Sequence, residues 1–188
     1  MESEALTPAP LETERLRLVP ATLELADADL HNRMEFSHQL RASVPDSWPP
    51  PLNDEGSMRH TIDFLRRNPE DSGWAAWYWI AKTRRPFLVG QGGFKGRPKD
   101  GCAEVGYSLL PAFQRQGYAS EAVAALLAWA FAHAEVERVA AETLPELAPS
   151  IRLLERAGFS RGGKPSVEGI LRFELTRRSF RPGGARDR

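Results

Sequence analysis

Residues 114–119 read QRQGYA and stand between an alternating, strand-like stretch and a long apolar stripe at helical spacing. Such a loop can hold a diphosphate. The first helical turn presents backbone N–H groups without intrahelical acceptors, and the macrodipole adds about half a positive charge there. Gly117 lets the chain approach a ligand closely, Ala119 is small for the same reason, and Arg115 can add a charge-assisted contact. The anion-facing set is therefore Gln114, Arg115, Gln116, Gly117, Tyr118, Ala119 and Ser120. The loop lacks the three glycines of a GxGxxG turn and the Gly-Lys-Ser/Thr ending of a Walker loop. His31, His38, His60 and His133 show no metal-binding spacing such as HExxH, so no metal is expected. Cys102, the one cysteine, can form neither an internal disulfide nor a cysteine-rich metal cluster, which suits a reducing cytoplasm.

These residues need a scaffold, and the hydrophobic period supplies its outline. Leu16 and Leu18 alternate with arginines up to Pro20, as in a strand with one buried face. Thr22 suits an N-cap, and residues 23–43 are helix-rich, divided into two pieces. Four prolines around Trp48 break regular structure over residues 44–53. A further amphipathic helix spans 55–67 through Met58, Ile62 and Leu65. Residues 74–82, 87–95 and 103–110 read as three adjacent antiparallel strands joined by turns at 83–86 and 97–101. Ala119, Ala122, Val123, Leu126, Leu127, Ala130 and Phe131 then make the longest helical stripe. A strand at 138–143, a short helix at 149–157 closed by Gly158, and a strand at 169–176 complete an α+β pattern. The expected domain is residues 11–180, with loose tails at 1–10 and 181–188.

Composition narrows the partners. A length of 188 residues suits one domain, and 25 basic against 25 acidic residues leave no net field to attract nucleic acid or anionic lipid. The N-terminus lacks the basic start and apolar run of a signal peptide, and no apolar stretch approaches the ~18 residues needed to span a bilayer.

The loop in its context resembles the acetyl-CoA-binding signature of the GNAT superfamily, Gln/Arg-x-x-Gly-x-Gly/Ala, matched by Gln114 to Ala119. The preceding strand AEVGYSLLP and the later SIRLLERAGF are similar to family segments in the same order and spacing. The opening LETERLRLVP and the DSWPPP stretch resemble the branch of ribosomal-protein N-terminal acetyltransferases, the RimJ/RimL-like branch. The resemblance implies a mixed sheet of six or seven strands, flanked by helices and splayed between the strands at 103–110 and 138–143, with acetyl-CoA in the cleft. Its pantetheine arm would pair with main chain at Leu109 and Leu110. Gly106 is the expected bulge position, its freed amide aimed at the thioester carbonyl.

The resemblance also distributes roles. Glu104 matches a strand glutamate that serves as general base in some members; a structural salt-bridge carboxylate is the other reading. The later helix departs from the family pattern, because Leu147 replaces its usual Asn and Leu154 the Tyr that protonates the thiolate. Ser150 remains, as a group near the sulfur or as a helix-start hydroxyl, with Tyr107 and Tyr118 as alternative acids. Phe36, Trp48 and Trp74 are the candidates for acceptor contact, against the reading of each as packing. The implied activity is acetyl transfer from acetyl-CoA to a primary amine, a protein N-terminus or a small molecule. A homodimer is compatible with it. Transfer of a longer acyl chain and a non-catalytic acyl-CoA sensor are the rival readings.

Overall fold

The computed structural model describes residues 7–182; the tails expected at 1–10 and 181–188 lie largely outside the described residues. Leu16 and Leu18 are fully buried and anchor strand β2 (Leu16–Pro20), onto which the two-residue β1 (Leu11–Glu12) folds back. Thr22 then accepts the Leu25 amide and opens α1 (Leu23–His31). Asn32 ends α1 and, by accepting the Glu35 amide, starts α2 (Arg33–Leu40), which is why the helix-rich region comes as two pieces. After the proline-rich loop, Asp54 caps α3 (Glu55–Arg67), whose buried face is Met58, Ile62 and Leu65.

Strands β3 (Ala76–Ala81), β4 (Phe87–Phe94) and β5 (Cys102–Leu109) follow as consecutive antiparallel neighbours. Helix α4 (Tyr118–Ala132), strand β6 (Arg138–Thr143), helix α5 (Ala148–Arg156) and strands β7 (Ser160–Arg161) and β8 (Leu171–Thr176) complete the chain. The sheet order is β1-β2-β3-β4-β5-β6-β8-β7. Eight strands exceed the expected six or seven because β1 and β7 are two-residue edge pieces, too short for a period-two pattern to reveal.

Two layers of helix cover the sheet. On one face α4 buries Ala122, Val123, Leu126, Leu127, Ala130 and Phe131 against Trp77, Trp79, Val105 and Val139. Each fully buried leucine there contributes about 1.5–3 kcal/mol. On the other face α1, α2 and α3 pack over Tyr78, Ile80 and Leu88.

Two expectations about local geometry are corrected. Trp74 ends a 3₁₀ turn over Pro69–Trp74 instead of starting a strand, because Pro69 opens that turn directly after α3. Gly106 is not bulged: Gly93↔Gly106 and Gly92↔Tyr107 pair in unbroken register. The register shift lies between β3 and β4, where Trp79 faces Gly90, Ile80 faces Leu88, and Val89 is the extra residue.

The feature that shapes the site is the β5–β6 junction. These strands run parallel and pair only through four positions, from Cys102↔Arg138 to Val105↔Ala141. Beyond Val105, β5 turns away and continues along β4 alone, so the sheet opens into a wedge.

Candidate functional site

The loop at the mouth of the wedge is built from backbone. Pro111–Phe113 forms a 3₁₀ turn, Gln114 is extended, Arg115 takes a left-handed φ of 59°, and Gly117 a φ of 83° as the residue before α4. Among the described residues no side chain caps α4, so the first-turn amides remain available at its N-terminus. Gln114 Nε2 donates to the Leu109 carbonyl at 3.2 Å and Gln116 Nε2 to the Ala112 carbonyl at 2.9 Å. Both glutamines therefore fix the loop itself.

A clamp from the far end of the sequence holds this loop. Arg15 Nε donates to Glu121 Oε2 at 2.7 Å and Arg15 Nη1 to the Gln116 carbonyl at 2.8 Å. Thr13 Oγ1 and the Arg15 amide both donate to Glu121 Oε1, at 2.6 and 2.7 Å. Burial raises the Glu121 carboxyl, but the bonds from Thr13 and Arg15 outweigh it and hold the group below its ordinary value. The Arg15 guanidinium also lies over the Tyr118 ring, 4.8 Å from its centre. Neither Arg15 nor Glu121 stands out when the sequence is read alone. A signal was present: a carboxylate in the first turn of an anion-binding helix repels its ligand unless a cation neutralises it.

Within the wedge, hydrogen bonding decides which backbone groups are free. The Lys95 amide donates to the Glu104 carbonyl at 3.0 Å and the Leu110 amide to the Val89 carbonyl at 2.9 Å. In an antiparallel pair the bonded positions alternate, so residues 104, 106, 108 and 110 turn toward β4 while 105, 107 and 109 turn toward β6. Since β6 has diverged, the groups of Tyr107 and the amide of Leu109 face the wedge. Leu110, with its amide engaged, does not. A free amide thus exists without a bulge, and it belongs to Tyr107 and not to Gly106.

Tyr107 also reaches across the wedge, its hydroxyl 2.9 Å from Ser150 Oγ in the first turn of α5. Burial raises the Tyr107 hydroxyl above its ordinary value, and the bond to Ser150 works the other way. Ser150 is not the cap of α5; its amide donates to the carbonyl of Leu147, the residue before the helix. Leu154, at the position where the family carries Tyr, is fully buried in the core.

The opposite face of β4 and β5 carries a second cleft of about 580 Å³, bounded by α3. Its walls include His60, Phe64, Gln91, Gly106, Tyr107 and Ser108. Close packing shapes its floor: a Cβ on Gly93 would lie 2.1 Å from the Ala75 carbonyl oxygen. Gly106 by contrast has open space where a side chain would be, so wedge and cleft meet across one bare stretch of β5.

Other candidates fall elsewhere. Glu104 is ion-paired with Lys95, the residue just after β4, and lies 3.7 Å from Arg172, which also binds Glu142 and Glu174. None of Phe36, Trp48 and Trp74 lines the cleft. Trp74 packs edge-on against Phe94 and Trp129 on the α4 face. Phe36 and Trp48 surround Tyr78 behind α1, where Trp48 Nε1 donates to Asp29 at 2.6 Å and the Tyr78 hydroxyl donates to Asp29 at 3.0 Å. Burial raises the Asp29 carboxyl to about 6, with the two hydrogen bonds opposing it.

Comparison with known proteins agrees with this architecture. The family profile described as acetyltransferase (GNAT) domain matches residues 15–160. The uncharacterized N-acetyltransferase p20 of Bacillus licheniformis is 30% identical over 179 residues, covering 90% of this chain and 97% of its own. Among solved structures, the ribosomal-protein-S5-alanine acetyltransferase of Vibrio fischeri superposes with a TM-score of 0.64 at 17% identity, over 93% of this chain and all of the other. Mycobacterium smegmatis RimJ in complex with CoA-disulfide gives a TM-score of 0.56 at 21% identity, over 92% and 88% of the two chains. Both structural likenesses concern the fold. Among the described residues no helix is long and apolar enough to cross a membrane.

Proposed function

The chain belongs to the GNAT acetyltransferase family, and from that premise we propose that it transfers acetyl from acetyl-CoA to the free N-terminal amine of a protein or peptide. The observation that carries the cosubstrate half is the placing of free backbone donors at both ends of one path, the Tyr107 and Leu109 amides in the wedge and the first turn of α4 at its mouth. In this reading Arg115, Gly117, Tyr118, Ala119 and Ser120 meet the diphosphate, with Gln114 and Gln116 holding the loop. The pantetheine arm adds alongside Tyr107 and Leu109. Arg15 keeps Glu121 neutralised, so its negative charge does not oppose the phosphates.

The chemistry needs a neutral amine, a polarised thioester and a proton for sulfur. The Tyr107 amide stabilises the oxyanion as the amine nitrogen attacks the carbonyl carbon. A C–S bond is exchanged for a C–N bond; nitrogen loses one proton and sulfur gains one. The Tyr107 hydroxyl, still protonated at neutral pH and oriented by Ser150, donates to the departing thiolate and regains its proton from solvent. Water in the open cleft takes the proton of the amine. Glu104 has no direct part in this scheme, because Lys95 and Arg172 already bind its carboxylate.

The acceptor cleft is open and about 580 Å³, room for a chain end more than for an isolated small amine. The Vibrio fischeri neighbour, a ribosomal-protein-S5-alanine acetyltransferase, points the same way. The test has two arms. Acetyl-CoA should raise the melting temperature, since a ligand of the native state stabilises it; no shift removes the cosubstrate half. Free CoA release is then measured over a panel of free-N-terminus peptides and small amines. Turnover of small amines with inert peptides would move the acceptor to a metabolite, and binding with no turnover on any acceptor would leave a sensor.

A further inference from the structure

Beside the acceptor cleft lies a much smaller cavity of about 10 Å³, lined by Asp29, Asn53, Thr61, Tyr78 and Gln91. It shares Asn53, Thr61 and Gln91 with the cleft, so the two spaces adjoin. Its size fits one water-sized group.

The polar atoms around it are unevenly satisfied. Asp29 accepts one bond on each oxygen, from Trp48 and from Tyr78, and an ionised carboxylate has about four acceptor positions. The Thr61 hydroxyl is occupied in donating to the Ser57 carbonyl at 3.2 Å. Asn53 is only 6% exposed, and among the described residues its Nδ2 has no acceptor. A buried donor without a partner is costly. The socket therefore wants a group that accepts from Asn53 and donates to Asp29. An ammonium cannot accept, and a carboxylate cannot donate and would be repelled by Asp29. A carboxamide does both but exceeds the space.

We infer that this socket receives a hydroxyl of the acceptor, with Asn53 donating to its oxygen and Asp29 accepting its proton; the inference rests on the acetyl-transfer reading above. Position sets which hydroxyl. Ser108 of β5 faces Gln91 of β4, which faces Tyr78 of β3. One to two strand spacings separate the socket from the transfer point, about 5 to 10 Å. A peptide advances about 3.5 Å per residue, so the hydroxyl belongs to the second or third residue and not to the first.

Matched acceptors test this: pentylamine against aminopentanol with its hydroxyl at the far end, and tripeptides with Ala or Ser at the second position. Each is followed by CoA release and by the ¹⁵N resonance of the Asn53 side-chain amide. The expected result is a kcat/KM about 10- to 100-fold higher for each hydroxyl partner, the worth of a hydrogen bond to a charged group. The Asn53 resonance should move only with those partners. In Asn53→Leu, an isosteric change that breaks no protein hydrogen bond, the hydroxyl-to-alkyl ratio should fall toward one. Equal turnover of both partners with an unmoved resonance overturns the inference and leaves acetyl transfer standing. A resonance that responds to hydroxyl partners without any turnover supports the socket and removes the acetyl-transfer reading. Neither turnover nor response overturns both.

Discussion

Replacing Asp29 by Asn isolates one buried charge, and its effect on stability should depend on pH in a fixed direction. Burial raises the Asp29 carboxyl from 3.8 to about 6. The folded protein therefore holds this proton more tightly than the unfolded chain does. Stability from this group is fully present below pH 3.8 and is lost as pH rises through about 6. Two pH units at 1.36 kcal/mol each give a loss of up to about 3 kcal/mol at neutral pH. Asn is uncharged throughout and escapes that loss. Subtracting wild-type from variant stability cancels every other titrating group, leaving a difference that grows by up to about 3 kcal/mol between pH 4 and 7.5. For a chain of this size that is roughly 6–12 °C in melting temperature. Thermal melts of both proteins across that range, at constant ionic strength, measure it. A flat difference would show that Asp29 is not an ionised, desolvated carboxylate and would undo the electrostatics assigned to it. Activity should move the other way: as pH rises the variant gains stability relative to the wild type, yet it is poorer on hydroxyl-bearing acceptors.

Further perturbations separate the parts of the site. Gly117→Asp forces a side chain into a left-handed position whose Cβ would lie 3.0 Å from Arg15 Nη2, and adds charge where phosphate belongs; acetyl-CoA affinity by calorimetry should fall at least about tenfold, two repelling charges in partly screened solvent giving a kcal/mol or more. Retained affinity would sink the loop assignment. Arg15→Ala should raise KM for acetyl-CoA more than it lowers kcat, and by less at high salt, because the Arg15 side chain is 44% exposed and its ion pair is screened. Tyr107→Phe should lower kcat by about 10²-fold or more with a small change in KM, the range for loss of a positioned proton donor; a kcat near wild type would return that role to solvent. Glu104→Gln should leave the pH profile of kcat/KM in place, and a lost limb would restore Glu104 as base.

What the sequence disclosed follows the range of each interaction. The apolar stripe of α4 and the alternation of β2 are local patterns imposed by burial on one face, so both elements are legible from a dozen residues. The two-residue β1 and β7 are defined only by what they lie against. The turn into α4 at Gly117 could be read because it is a matter of backbone conformation in consecutive residues. The clamp could not, since Arg15 and Glu121 stand 106 positions apart. The same holds for Asp29 and Tyr78, 49 positions apart; nothing near Asp29 in sequence announces an aromatic hydroxyl. Trp74 misled because an aromatic before a strand looks like part of it until Pro69 is seen to open a 3₁₀ turn. Gly106 misled in a more useful way: the free amide was right in kind, and only the topology of a parallel pair coming apart could assign it to Tyr107.

That parting has a mechanical side. The sheet is two plates, β1 to β5 and β6 to β8, riveted along four residue pairs at one end. An open seam in the middle of a sheet is normally a weakness, because it leaves backbone groups of both strands without partners. A ligand laid along the seam becomes a removable stitch. With it in place the plates should resist shear as a single body, and amide exchange at Tyr107 and Leu109 should slow. Without it the rivets alone carry the load, and exchange at those two amides should run at the rate of an unpaired strand edge.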